Sequence, residues 1–300
     1  MKFVVTGGAG FIGSYIVKYL IENDHQVIVV DNLFRGKLTN LSGYEDKTDF
    51  HNLDILNFEE LRKLVKDSDG IFHQAALTSV QESFTQTAKY HDVNVKGTEN
   101  IFKLGKEFGI KIVYASSSSV YGNPKSIPIN ENTSRNPINP YGRTKLEDEI
   151  LAEQYSKLDV KIIGLRYFNV YGIGQTNDYA GVITKFHDAI KTNNPPIVFG
   201  DGTQLRDFIS VEDVVKANLS SMQSKTNFAF LNIGTGIATS INDLANLMIK
   251  LSGKPLVTMY SDLPEGDVKE SQADVKLAKQ LINWMFETNL EDGIKKFFFN

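Results

Sequence analysis

Tyr141 and Lys145 stand four residues apart near the start of an amphipathic stretch, so on a helix both side chains project from one face. An ammonium beside a phenol favours the phenolate, and a phenolate near neutral pH is a usable general base. Asn139-Pro140, just upstream, sets up the helix start. Any surface helix can carry a Tyr and a Lys, so the pair does not decide the matter alone. Further upstream, the apolar run 111–115 opens into Ser116-Ser117-Ser118-Ser119-Val120-Tyr121-Gly122. Four serines could form a bland polar loop, yet they follow a strand pattern, and ligands of open α/β sheets bind beyond the carboxyl ends of the strands.

A second group of residues suits phosphate chemistry. Residues 2–6 run straight into Gly7-Gly8-Ala9-Gly10-Phe11-Ile12-Gly13 and then into a helical pattern. Gly8, Gly10 and Gly13 fit G-x-G-x-x-G, and Gly7, Gly10 and Gly13 fit a wider-spaced variant. Glycines serve here because the turn is tight, the backbone must approach a pyrophosphate, and the helix must pack close to the strand. The helix N-terminus then offers free N–H groups to the anion. Asp31 ends the next strand 18 residues after Gly13. A carboxylate there accepts hydrogen bonds from a ribose diol and repels a 2′-phosphate, which favours NAD over NADP. Arg35 and Lys37 lie nearby and act against that preference. Asp54, within Leu53-Asp54-Ile55, is expected at the end of a third strand, where it could contact an adenine.

The elements that must position these groups alternate through the first half. Short runs rich in Val, Ile and Phe at 2–6, 26–30, 70–74, 111–115 and 160–165 are separated by amphipathic stretches at 11–22, 58–66, 93–108 and 141–155. That alternation predicts crossover units and a parallel sheet covered on both faces. The expected fold is α/β: a Rossmann-type doubly wound parallel sheet over 1–168, completed by part of 209–238. After residue 168 turn chemistry becomes dense, and helical patterns are scattered over 180–191, 211–222 and 241–251. Residues 169–300 are therefore expected to form mainly a smaller, mixed α/β substrate domain. The terminal Phe297-Phe298-Phe299, with Leu290 and Ile294, read as the inner face of a closing helix.

Composition excludes several classes. Thirty-two basic against 36 acidic residues give a net charge of -4 with no basic run, which argues against a nucleic-acid partner. There are no cysteines, so disulfides, thiolate nucleophiles and cysteine-ligated metals are excluded; no metal site is expected. No apolar run approaches the roughly 20 residues that cross a bilayer, and the opening residues lack a cleavage pattern. A soluble, cytoplasmic protein without a membrane partner is expected.

Taken together, the motifs resemble the extended short-chain dehydrogenase/reductase superfamily, and within it the nucleotide-sugar epimerases. They are Thr6–Gly13, Asp31-Asn32, His73-Gln74-Ala75-Ala76, Asn94-Val95-Lys96-Gly97-Thr98, Ser116–Gly122 and Pro140–Lys145. They continue with 165–172, Gly200-Asp201-Gly202 and Arg206-Asp207-Phe208, so the resemblance spans essentially the whole chain. It implies C4 epimerisation of a UDP-hexose or UDP-N-acetylhexosamine through a transient 4-keto sugar. Tyr141 would take the 4-hydroxyl proton and Lys145 would anchor the nicotinamide ribose. The third catalytic residue, four positions before Tyr121, would be Ser117, with Ser116 and Ser118 as helpers. The implied cofactor is NAD, held by Gly7, Gly10, Phe11, Ile12, Gly13, Asp31, Asn32, Asp54, Ile55, Gln74, Ala75, Asn94, Tyr167 and Phe168. Substrate contacts fall on Thr78, Ser118, Asn169, Val182, Lys185, Arg206 and Ser271.

Related dehydratases and decarboxylases carry an extra acid near the catalytic serine, where this chain has Ser118 and Ser119. Residues 179–186 and 271–275 are similar to the bacterial UDP-N-acetylglucosamine 4-epimerases. In that likeness the small Ser271 takes the place where a Tyr in some UDP-galactose 4-epimerases narrows the pocket. Pro264 departs from the pattern, standing where the family carries an Arg that contacts the diphosphate. Alternatives are a nucleotide-sugar oxidoreductase, a UDP-glucuronate 4-epimerase, and an NAD-sensing binding protein, against which the intact Ser117, Tyr141 and Lys145 set argues. The resemblance also implies a homodimer formed through the helices at 93–108 and 141–155.

Overall fold

Alternate residues of the central strands face opposite layers of the core. Phe3 and Val5 join one buried cluster and Val4 the other; Val27 and Val29 oppose Ile28 and Val30; Val113 opposes Ile112 and Tyr114. With both faces covered, every side chain in such a strand gains from being apolar, hence the unbroken hydrophobic runs. The computed structural model describes residues 1–175, 181–262 and 268–299, without the Phe299 side chain.

The first half comprises β1 (Lys2–Thr6), α1 (Phe11–Glu22), β2 (Gln26–Asp31), β3 (Thr48–Asn52), α2 (Phe58–Val65), β4 (Gly70–His73), α3 (Val80–Thr85) and α4 (Thr87–Tyr90). A π-helical turn, His91–Lys96, leads into α5 (Gly97–Phe108), β5 (Lys111–Ser117), α6 (Pro140–Ser156) and β6 (Ile162–Tyr167). The second half comprises β7 (Asn169–Tyr171), α7 (Val182–Lys191), β8 (Ile197–Phe199), β9 (Leu205–Ser210), α8 (Val211–Gln223) and β10 (Phe228–Ile233). It closes with β11 (Ala238–Ser240), α9 (Ile241–Ser252), β12 (Met259–Ser261), α10 (Lys276–Ile282) and α11 (Leu290–Phe299).

Seven strands form one parallel sheet in the order β3-β2-β1-β4-β5-β6-β10. Residues of α1, α8 and α10 pack on one face, and residues of α2 and α5 on the other. The order reverses between β1 and β4, and ligands of doubly wound folds bind at that switch point. The sequence reading placed the third strand's end at Leu53–Ile55, but the strand is the mostly polar Thr48–Asn52. It lies at the sheet edge with much of its surface in water, so burial imposes no apolar pattern on it. The stretch 93–108 is likewise not one α-helix, since its first residues lie in the π-helical turn.

The second half adds a three-stranded sheet, β11-β9-β7, and a parallel pair, β12-β8. Helices α7, α9 and α11 close a separate core around Phe186, Phe208 and Met248, on which Leu290, Ile294, Phe297 and Phe298 pack. Among the described residues no helix is long and apolar enough to cross a membrane.

The β1–α1 turn shows why two glycines are required. Gly7 sits at φ +68°, and a Cβ on it would lie 2.7 Å from the Ala75 backbone nitrogen, across the switch point. A Cβ on Gly13 would lie 2.1 Å from the Gly7 carbonyl oxygen, so the helix seats directly on the turn. Gly13→Ala is therefore expected to cost about 1–3 kcal/mol of overpacking, a fall in Tm of about 2–5 °C for a chain of this length. Thermal melting of the variant against wild type checks this; an unchanged Tm would show that the helix can lift off the turn freely.

Candidate active site

Two adjoining cavities open at the carboxyl edge of the large sheet, and the end of β5 is the wall between them. Ser116 and Ser117 line the first, together with the β1–α1 turn; Ser118 and Ser119 line the second. The same division recurs after β6, where Phe168 faces the first cavity and Asn169 the second.

In the first cavity the structure gathers Gly7, Gly10, Phe11, Ile12, Gly13, Asp31, Asn32, Asp54, Ile55, Gln74, Ala75, Tyr167 and Phe168 with Ser117, Tyr141 and Lys145. Thr78, expected on the substrate side, lines this cavity too. Asp31 accepts backbone N–H bonds from Ala9 (3.0 Å) and Leu33 (2.8 Å). Burial pushes its carboxyl above the usual range against those two bonds. Gly36 leaves the carboxylate room, because a Cβ there would lie 2.7 Å from both oxygens. Arg35, a cation expected to oppose the NAD preference, is drawn into an ion pair with Glu82 at 2.8 Å. The Asn32 side chain donates to Asp54 at 2.8 Å, and this links the ends of the second and third strands. Gln74 accepts from Tyr167 (3.2 Å) and donates to Asn218 (3.1 Å), which in turn donates to Tyr167 (2.8 Å). A turn with no room for a Cβ at Gly7 or Gly13, a helix N-terminus behind it and a carboxylate at the second strand's end fit a dinucleotide.

Asn94 is not in that lining. It is buried behind it, accepting from Leu77 N (2.8 Å) and donating to Leu77 O (3.0 Å) and Thr144 Oγ1 (3.0 Å). It ties the β4–α3 loop to α6 from within the π-helical turn, a kind of irregularity frequent at functional sites.

The serines are differentiated by their partners. Ser116 Oγ donates to the buried Glu149 carboxylate at 2.7 Å. Ser117 Oγ accepts from Ser119 N at 3.1 Å and shares a cavity with Tyr141 and Lys145. Asn139 caps α6 through a bond from Gly142 N (2.7 Å), which fixes where Tyr141 and Lys145 leave the helix. Beneath them, His73 bonds Thr6 Oγ1 (2.6 Å) and Thr98 Oγ1 (2.9 Å); burial, and then the Lys145 charge, push it down to about 3, so its ring is neutral.

Sequence reasoning missed the groups that hold this arrangement. Glu149 accepts from Arg166 Nε (2.8 Å), Arg166 Nη2 (2.8 Å) and Arg135 Nη1 (3.0 Å) besides Ser116. Arg166 Nη1 donates to Tyr121 Oη (2.7 Å), and that hydroxyl donates to Asn232 Oδ1 (2.7 Å). Burial works against the Arg166 charge, yet Glu149 and Tyr121 outweigh it and hold the guanidinium protonated beyond its ordinary range. Two signals were available: Glu149 lies four residues after Lys145, and Arg166 interrupts an otherwise apolar strand.

The second cavity collects Ser118, Asn169, Val182, Lys185, Arg206 and Ser271. Asp207, also missed, organises it: its carboxylate accepts from Thr235 N (2.7 Å), Thr235 Oγ1 (2.6 Å), Gly236 N (2.8 Å) and Ala273 N (3.0 Å). This locks the segment carrying Ser271 against the strand carrying Arg206. The Arg206 guanidinium donates to Leu205 O at 2.8 Å. Pro264 lies outside the described residues, as do Tyr179 and Ala180.

Residues 3–234 match the family model of the NAD-dependent epimerases and dehydratases. The chain belongs to that family, in its extended short-chain dehydrogenase/reductase form, and its cofactor is NAD. It is similar to UDP-glucose 4-epimerase of Thermotoga maritima, solved with UDP-glucose: 35% identity, TM-score 0.94, covering 98% of this chain and 96% of that one. UDP-N-acetylglucosamine 4-epimerase of Methanobrevibacter ruminantium, solved with UDP-N-acetylmuramic acid, shares 34% identity at TM-score 0.94, with 98% and 96% covered. UDP-glucuronic acid 4-epimerase of Bacillus cereus, solved with UDP-glucuronic acid and NAD, shares 33% at TM-score 0.92, with 98% and 97% covered.

Removing one member of a buried ion pair strands the other, at a cost of about 3–5 kcal/mol. Glu149→Gln is expected to lose stability on that scale in a denaturant titration. Adding Arg166→Met should recover part of the loss, because the stranded charge is gone. A loss under about 1 kcal/mol for Glu149→Gln, the scale of an exposed pair, would show that the network is dispensable.

Proposed function

We propose that the protein is an NAD-dependent UDP-sugar 4-epimerase that interconverts the C4 epimers of a UDP-hexose or UDP-N-acetylhexosamine through a 4-keto sugar. One observation carries this reading: Ser117, Tyr141 and Lys145 face the cavity of the glycine turn, directly beside a second cavity lined by Asn169, Arg206 and Ser271. The carboxylate of Asp31 at the end of β2 suits a free ribose diol, as NAD has.

NAD, held by the residues of the first cavity, would supply a reversible hydride acceptor for C4. The chain's residues manage the proton and the sugar. Tyr141 accepts the 4-hydroxyl proton as the C4 carbonyl forms, and gives it back when the carbonyl is reduced. Lys145 places its ammonium beside that phenol and the nicotinamide ribose. The Ser117 hydroxyl donates to the sugar O4 and holds it against Tyr141. Arg206 and Lys185 bring positive charge to the diphosphate, with Asn169 as a polar contact, and no role is assigned to Pro264. Between the two half-reactions the keto sugar turns, while the nucleotide stays anchored in the second cavity.

The same reading includes a homodimer through α5 and α6. Ile101, Phe102 and Leu104 turn into the core, and Ile150 of α6, at 42% exposed, is the large apolar side chain offered to a partner.

Incubating the purified protein with UDP-glucose, UDP-N-acetylglucosamine and UDP-glucuronate and separating the products tests the activity. Tyr141→Phe is expected to lower turnover at least ~10²-fold, the scale of general-base removal, with NAD still bound. Turnover within a few-fold of wild type would overturn the assignment.

Ser271 lines the second cavity and is 5% exposed, so a larger side chain there must take space from the ligand. Ser271→Tyr is expected to reject UDP-N-acetylglucosamine while plain hexoses lose little. The measurement is the ratio of kcat/KM values, which isolates differential transition-state binding. An unchanged ratio would remove Ser271 from sugar selection.

A further inference from the structure

Lys145 has a partner that the reaction described above does not use. Its Nζ lies 3.2 Å from Asp148 Oδ2, and the two side chains are 3% and 0% exposed. The other oxygen, Asp148 Oδ1, is buried with no hydrogen-bond partner among the described residues. Lys145 lines the cofactor cavity; Asp148 stands behind it, outside the lining. We propose, resting on the roles given to Tyr141 and Lys145 above, that Asp148 is a positioning residue that pins the Lys145 ammonium and, by ionising, sets how much of its charge reaches Tyr141.

The carboxyl is poised for this. Burial pushes Asp148 up to about 7, against the opposite pull of Lys145. While it is protonated, the ammonium acts on the phenol uncompensated. Once it is ionised, a negative charge lies on the far side of the same nitrogen and offsets it. Rising pH therefore adds, at Asp148, a charge that opposes the effect of the ammonium on the phenol.

The neighbours on other elements do not duplicate the effect. His73 on β4 is held neutral, pushed down to about 3. Tyr114 on β5 is raised well above its ordinary value by burial, then by Glu149 and Asp148. Tyr90 on α4, which faces Tyr141, is pushed up to about 12 chiefly by burial. On α6 itself, Glu149 is held by Arg166 and Arg135, and Glu147 pairs at 3.2 Å with the half-exposed His91 of the π-helical turn.

The test compares NAD-loaded wild type, Asp148→Asn and Asp148→Glu, each with and without Tyr141→Phe. Near-ultraviolet phenolate absorbance is followed against pH. The Tyr141→Phe spectrum is subtracted, because 12 tyrosines contribute. In parallel, kcat is measured against pH with UDP-glucose and UDP-N-acetylglucosamine. Asp148→Asn is expected to move the midpoint of the Tyr141 signal, and the acid limb of kcat, down by about one pH unit. It should also steepen both curves, and Asp148→Glu should restore the wild-type shape. Should Asn unsettle the helix, Asp148→Ser removes the charge with less volume and is read the same way. A folded, uncharged variant with the wild-type midpoint and slope overturns the proposal, as does a uniform fall in kcat at every pH. If subtracting Tyr141→Phe leaves no phenolate signal in wild type, or Tyr141→Phe retains turnover, the reading of Tyr141 falls first and Asp148 with it.

Discussion

The Glu149 carboxylate sits among four donors from three directions, and the geometry of the site depends on it. Ser116 reaches it from the end of β5, Arg166 from β6, and Arg135 from the loop before α6. Glu149 itself belongs to α6, the helix that carries Tyr141 and Lys145. One buried anion therefore sets the distance between the serine-bearing strand and the tyrosine-bearing helix. Burying such a charge is unfavourable unless every lone pair is engaged, so small displacements of either element are resisted steeply. Arg166 extends the constraint through Tyr121 to Asn232 on β10, whose amide donates to Ile129 O.

Asp207 plays the matching part at the second cavity. Its four accepted hydrogen bonds come from the turn after β10 and from the segment after residue 270. The two carboxylates are tied to the same carboxyl end of β10, since Asn232 is its penultimate residue and Thr235 lies two residues beyond its last. The two cavities therefore keep their relative position through buried polar contacts, whereas the apolar cores on either side supply most of the stability. Apolar packing is non-directional; hydrogen-bonded carboxylates fix angles and distances to a few tenths of an ångström.

Much of the fold was legible because both faces of the sheet are covered. Runs such as Phe3-Val4-Val5 and Val27–Val30 have no polar alternation to blur them, and α2 and α5 carry a clear helical stripe, whereas α6 does not. β3 was misplaced for the converse reason: Thr48, Asp49 and His51 face partly into water at the edge. The π-helical turn at His91–Lys96 was invisible because no residue type in it marks the one-residue widening of the helix. What distinguishes it is the two-way bond between Asn94 and Leu77, a contact across 17 residues of chain.

The sequence by itself determined the chemistry on offer: a glycine-rich turn between a strand and a helix, an acid ending β2, a phenol and an ammonium one helical turn apart, and a serine run after a strand. Those features are local, so residue type and spacing suffice to read them. The tertiary structure alone decided which serine meets which partner, that Asn94 stands behind the cavity wall, and that Thr78 lines the cavity of the glycine turn. It also decided that Glu149, Arg166 and Asp207 hold the frame and that Lys145 is backed by Asp148. These depend on charges brought together from strands and helices distant in the chain, and on the removal of water around them. A carboxylate in solution and one enclosed by a fold are written with the same letter, and burial is what makes them different groups.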